Sequence, residues 1–246
     1  MSPPPTATTT FAAAVFAATS FAATSFAVTS FAAVPISIAA AGSVRAPQAA
    51  ASTAPEMERI PAGEEWELDF VPKALRVHVD ESSGKAYWVL SYEVGNRTDR
   101  ERTWAPVFEL QGVGGPLQRS GRDVPSLVAD DVGRLLNGSR DDERPPVLDQ
   151  NQAIGPLPVG RAHIRDGFAV WPALVDGATA GHDVGPTEVV VYVGGVSNRR
   201  GRVDHPVTGE DVILRQQQVI RFLTPGRIGS LVGTPLKPRS QSFIYR

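Results

Sequence analysis

Residues 86–112 read AYWVLSYEVGNRTDRERTWAPVFELQG and hold two of the chain's four tryptophans. Side chains on a strand alternate between its two faces. Trp88, Leu90, Tyr92 and Val94 therefore share one face, and Tyr87, Val89, Ser91 and Glu93 the other. The same parity recurs beyond the break, where Trp104, Pro106, Phe108 and Leu110 stand against Thr103, Ala105, Val107 and Glu109. The intervening residues 95–102 are polar and turn-forming, as in a connection between consecutive strands. The pattern predicts a long antiparallel pair with its even faces in one core, or else a connection that crosses between two sheets. Pro106 lacks a backbone donor, which predicts an edge or a bulge there. With the aromatics assigned to packing, residues 96–102 are the part of the stretch left to meet a partner.

Outward from this stretch the domain reads as a succession of short elements. Residues 67–80 form a first strand region, with Leu75, Val77 and Val79 on one face, Arg76 and His78 on the other, and a break at Pro72. Val128, Val132, Leu135 and Leu136 fall at helical spacing over residues 126–137. Ser126 is placed to cap the start of that helix, and Gly138 to supply a left-handed residue after its end. Residues 139–152 are strongly polar and predict an exposed loop. Strand patterning resumes at Ala162, where Phe168, Val170, Pro172 and Leu174 alternate with Ala169, Trp171 and Ala173. Residues 188–196 are apolar on both faces, as in a central strand. Residues 212–223 alternate again, and 243–245 predict a last strand. About six to eight strands separated by turn signals favour an antiparallel β-sandwich over a barrel or an α/β sheet.

The amino-terminal part is compositionally foreign. Residues 11–34 read FAAAVFAATSFAATSFAVTSFAAV, with phenylalanine at 11, 16, 21, 26 and 31 and no charge before Arg45. On a helix, steps of five residues turn by about 140°, which scatters the phenylalanines around the axis. Such a segment suits a signal-peptide core or an anchor and not an interfacial amphipathic helix. Ala39-Ala40-Ala41 and Ala49-Ala50-Ala51 offer small-residue cleavage sites. Residues 1–41 are expected to be an export leader, 42–62 a linker or pro-segment, and 63–246 a single domain. Retention of the leader as a membrane anchor and a low-complexity tail are the alternatives.

Composition narrows the function classes. Lys+Arg 24 against Asp+Glu 26 gives a formal charge of -2, which supplies no footprint for nucleic acid or for an anionic membrane. The absence of cysteine removes disulfides, thiol catalysis and cysteine metal sites. His78, His163, His182 and His205 lie far apart, none at metal-binding spacing. Asp141-Asp142-Glu143 is contiguous and flanked by Arg140 and Arg144, unlike a calcium loop. Gly112-Val113-Gly114-Gly115-Pro116 precedes no helix start, so it is a poor phosphate loop. No catalytic residue, cofactor or metal is expected. Trp171, beside Ala169 and Ala173, is the candidate ligand platform, either a flat sugar-stacking face or a ring packed beneath the loop 139–152. Asn96-Arg97-Thr98 and Asn137-Gly138-Ser139 match the glycosylation pattern and are read as turns.

The order of these motifs is itself informative. YWVLSYEVGNRTDRERTWAPVFEL, a short amphipathic helix, IGPLPVGRAHIRDGFAVW, VVVYVGGVSN, VILRQQQVIRFLTPG and FIYR together resemble a group of exported bacterial proteins of unknown function, of planctomycete type, over about residues 66–246. The resemblance implies an immunoglobulin-like sandwich and carries no catalytic residues. The expected function is a non-enzymatic structural or interaction module in the cell envelope or outside the cell. Its partner would be an envelope protein or a polysaccharide, with membrane contact only if the leader is retained. A carbohydrate- or ligand-binding domain is the alternative, and a hydrolase with a dispersed site the third.

Overall fold

The computed structural model describes residues 57–61, 63–112, 115–138, 144–173, 187–225 and 228–246. In chain order these form β1 (Glu58–Ile60), β2 (Asp69–Val79), β3 (Ala86–Gly95), β4 (Arg102–Trp104), β5 (Val107–Gln111) and β6 (Leu117–Arg119). Helix α1 (Ser126–Asn137) follows, then β7 (Leu148–Asp149), β8 (Gly155–Leu157) and β9 (Arg165–Pro172). The last strands are β10 (Thr187–Gly194), β11 (Arg200–Asp204), β12 (Asp211–Thr224) and β13 (Pro238–Tyr245). The fold is thus mainly β with one α-helix among the described residues, and no described helix is long and apolar enough to cross a membrane.

A seven-stranded sheet runs β1-β11-β12-β10-β5-β6, with β13 also paired to β12. A four-stranded sheet runs β2-β3-β9-β7, and β4 pairs with β8. Every pairing is antiparallel except that of β7 with β9. The two halves of 86–112 therefore do not pair with each other. β3 lies between β2 and β9, whereas β5 lies between β10 and β6, and the polar connection crosses from one sheet to the other. The break at Ala105-Pro106 is what separates β4 from β5. It lets Trp104 and Phe108 both enter the core from different sheets.

The main core joins the even face of β3 (Trp88, Leu90, Tyr92, Val94) to Leu110, Val191, Ile220 and Phe222 of the larger sheet. At its centre the rings of Phe70, Tyr92, Trp104 and Phe108 lie with centroids 4.9–6.3 Å apart, in stacked, tilted and edge arrangements that suit the aromatic quadrupole. The odd face of β3 is buried as well. Tyr87 and Val89, with Phe168 and Val170 of β9, pack under Val128 and Val132 of α1. β3 is thus covered on both sides, by the second sheet and by the helix.

Several local expectations are corrected. β2 is continuous through Pro72, but its register shifts between Pro72 and Ala74. The extra residue changes parity, so Phe70 and Pro72 before it and Leu75 and Val77 after it all face inward. Lys73, extruded at the bulge, bridges Glu93 at 2.7 Å and Asp166 at 2.5 Å. Helix α1 has the expected limits, but its N-cap is Pro125 with no side-chain cap bond, and Gly138 is right-handed at φ -64. Its final turn closes through the Gly138 N–H on the Arg134 carbonyl, so no left-handed residue is needed. Of 139–152, residues 139–143 lie outside the described set. The remainder is not simply a loop, because Val147 is buried and β7 adds a parallel strand beside β9.

Close approach constrains Gly167. A Cβ at Gly167 would overlap the Tyr92 ring, which is wedged among Phe70, Trp104 and Phe108 and has no exposed surface. Gly167→Ala should lower stability by about 1–3 kcal/mol through overpacking. Equilibrium chemical denaturation checks this, and unchanged stability would mean that Tyr92 is free to move aside.

Candidate functional site

A groove of about 720 Å³ lies between α1, residues 76–82 and Val232-Gly233. Its apolar lining comes from Val77 and Val89 on the strands, Val132, Leu135 and Leu136 on the helix, and Val232. Packing against β3 and β9 uses Val128 and Val132, and Leu135 is left 59% exposed at the rim. Val232 is held opposite by a parallel bridge to Val77.

Polar groups also converge on the same groove. His78 projects from β2, and its buried Nε2 lies 3.3 Å from Asp131 Oδ2 on α1. The other oxygen of Asp131 accepts from Arg134 Nη1 at 2.8 Å. At the neighbouring turn the Asp80 carboxylate accepts from the Ser82 N–H at 3.2 Å, from the Ser82 hydroxyl at 2.9 Å, and from Ser83. The Ser83 and Ser82 bonds hold the Asp80 carboxyl below its ordinary range, because each favours the charged form. The Ser82 hydroxyl is thus engaged by Asp80 and not by His78, so serine, imidazole and acid do not form a relay. No group of three His, Asp or Glu side chains that could hold a metal occurs among the described residues.

The residues singled out from sequence are dispersed. Trp171 is neither a surface platform nor a ring beneath the loop: it is fully buried in the inter-sheet core, opposite Trp88 in the β3–β9 register. The cause is α1, which covers the Phe168 and Val170 face of β9 and turns the Trp171 face toward the larger sheet. A ring without exposed surface offers a sugar no stacking face in this conformation. His163 and His205 are exposed, and His205 Nδ1 accepts from the N–H groups of Val207 and Thr208 within its own turn. His182 and Asp141-Asp142-Glu143 lie outside the described residues.

The connection 96–102 is likewise engaged. Asn96 is buried and spends its carboxamide on the turn and on β8. Arg97 pairs with Asp69 at 2.5 Å, Arg100 and Arg102 share Glu64, and Arg102 lies over the Trp66 ring at 5.6 Å. Asn137 clamps the end of α1 to Val147 through bonds of 2.8 and 3.2 Å. Both asparagines therefore serve as structural turn residues.

Comparison with family models, curated proteins and solved structures finds no match. The His78–Asp131 pair was not visible in the sequence, where the two residues sit on different elements and far apart. The only signal was their parity: His78 is on the face of β2 opposite Leu75 and Val77, and Asp131 flanks the apolar stripe of α1.

Proposed function

We propose that the chain is an exported, non-enzymatic module with an immunoglobulin-like β-sandwich fold and a structural or interaction role in the cell envelope or outside the cell. The apolar leader and the strand pattern motivate this reading, and the exported bacterial proteins that the sequence resembles are themselves of unknown function. One observation supports the non-enzymatic part: the two aspartates at the groove that lie nearest His78 and Ser82 are engaged by neighbours on their own turn or helix. A catalytic acid or base has to stand within reach of the proton it moves, and here Asp131 accepts from Arg134, and Asp80 from Ser82 and Ser83. The apolar leader and the small-residue sites at Ala41 and Ala51 support export, with an envelope protein or a polysaccharide as the partner class. Cell fractionation with amino-terminal sequencing tests the compartment. A chain beginning after Ala41 or Ala51 in the envelope or medium is the expected result. An intact Met1 in the membrane fraction would indicate the anchored form, and an intact Met1 in the soluble cytoplasm would refute export.

The groove favours a second reading, a small-ligand domain. Ligand clefts run to about 300–1,000 Å³, with apolar walls and a few convergent polar groups, and this one measures about 720 Å³. With Asp131 paired to Arg134, Asp80 and Glu81 still outnumber Arg76 on its lining, so the fitting ligand is an amphipathic cation. A long-chain alkylammonium should raise the melting temperature, and Leu135→Lys should abolish the effect. An equal response to a fatty carboxylate would contradict it.

A further inference from the structure

Strand β13 is paired on one side only, and the alternation of an antiparallel ladder determines which of its backbone groups are left over. Arg246 exchanges both backbone bonds with Arg215, at 3.0 and 2.8 Å. The register continues with Ile244 opposite Gln217, Ser242 opposite Val219 and Ser240 opposite Arg221. These even-numbered residues therefore aim N–H and C=O at β12. Arg239, Gln241, Phe243 and Tyr245 aim theirs away, and no backbone group among the described residues meets them.

Open edges invite further pairing, and folded chains ordinarily blunt them with short strands, proline, lysine or bulges. The other edges of this sheet, β1 and β6, have three residues each. On the neighbouring sheet, the outer edge of β2 is closed by reciprocal bonds between Leu75 and Leu236 and by the bond from the Leu68 N–H to Val196. On β13 such protection is confined to its first residue, Pro238. Residues 239–243 are exposed without interruption, and between Pro238 and Tyr245 there is neither proline nor lysine. The irregularity at Arg221/Phe222 lies at the far end of the strand.

We propose that β13 is a dimerisation edge, on which a second copy of this chain adds its own β13 antiparallel about a two-fold axis at Gln241. The idea goes beyond the functional reading above and depends neither on export nor on the groove. A two-fold contact requires a self-complementary patch, and this one qualifies. The axis pairs odd residues with odd, so each outward N–H meets an outward C=O. Gln241 meets its own copy, Ser240 meets Ser242, and Arg239 meets Phe243, with no like charges opposite one another. Phe243 also lines a cleft of about 310 Å³ with Leu68, Phe70 and Gln218. The carboxylates of that cleft are already paired, Asp69 with Arg97 of the same lining and Glu67 with Arg199. The second copy's Arg239 would lay its stem over the half-exposed Phe243 ring and keep its charge in water.

The test is the mass of the full chain in solution by sedimentation over a wide concentration range, for wild type and two variants. Gln241→Pro deletes an outward donor without touching the internal ladder. Gln241→Ala keeps that donor and controls for the lost side-chain bond from Gln218 Nε2 to Gln241 Oε1, 3.0 Å in length. The expected result is a dimer for wild type and Gln241→Ala, and at least tenfold weaker association, by rough estimate from the lost bonds, for Gln241→Pro. A wild-type monomer at every concentration, or undiminished dimerisation of Gln241→Pro, would overturn the proposal. Should Gln241→Pro fail to fold, amide exchange of wild type decides. The amides of Arg239, Gln241 and Phe243 must become protected as concentration rises, and unchanged exchange would overturn the proposal equally.

Discussion

Replacing Trp171 with alanine is expected to lower the free energy of unfolding by about 3–5 kcal/mol, the range for deleting a large buried aromatic. The indole has no exposed surface, lies in the main core, and is flanked along β9 by the small residues Ala169 and Ala173. Neither neighbour can collapse into the space that the ring would vacate. Its Nε1 is buried without a hydrogen-bond partner, so Trp171→Phe, which removes that donor and keeps most of the ring, should cost much less than the alanine change. Equilibrium denaturation of the three forms measures both differences. A loss below about 1 kcal/mol for Trp171→Ala would place the ring at the surface and restore the stacking-platform reading.

The second large effect is expected at Asn96. Its Nδ2 donates to the Arg100 and Leu157 carbonyls, each at 2.8 Å, while its Oδ1 accepts from the Thr98 N–H at 2.9 Å and the Thr98 hydroxyl at 2.7 Å. The residue is 1% exposed, and the Leu157 bond ties the crossing connection to β8. The Leu157 carbonyl also faces Arg102 in the β4–β8 pairing, so Asn96→Ala does not orphan it. The change deletes four side-chain hydrogen bonds at a buried site, each worth about 0.5–1.5 kcal/mol net. Asn96→Asp preserves both acceptor bonds but removes both donors and sets a carboxylate against two carbonyls. It should therefore be no more stable than the alanine variant. Wild-type stability in Asn96→Asp would show that the Nδ2 bonds do not hold the connection.

What was legible in the sequence was the content of each element more than its partners. Val128 and Val132 defined α1 correctly, because a 3.6-residue stripe depends only on local spacing. Alternation likewise marked β3, β9 and β12. Pairing is a long-range property, however, and identical parity in β3 and β5 was compatible with one sheet or two. The β2 bulge was hidden for a related reason: one extruded residue, Lys73, reverses the parity on which the whole pattern rests. Trp171 was misplaced because both faces of β9 are apolar. Only the docking of α1 on Phe168 and Val170 decides which of them meets the larger sheet. The His78–Asp131 contact depends on that same docking, so no spacing rule could have disclosed it.

The central claim is that the tryptophans other than Trp66 serve the core and leave contact to the groove and the strand edges. Of the four tryptophans, Trp88, Trp104 and Trp171 are buried and Trp66 is partly exposed. Acrylamide quenching of tryptophan fluorescence in the native chain tests this most directly, with Trp66→Phe and Trp171→Phe as assignments. The account predicts that Trp66→Phe removes the readily quenched component and that Trp171→Phe leaves it unchanged. Loss of that component in Trp171→Phe would contradict it.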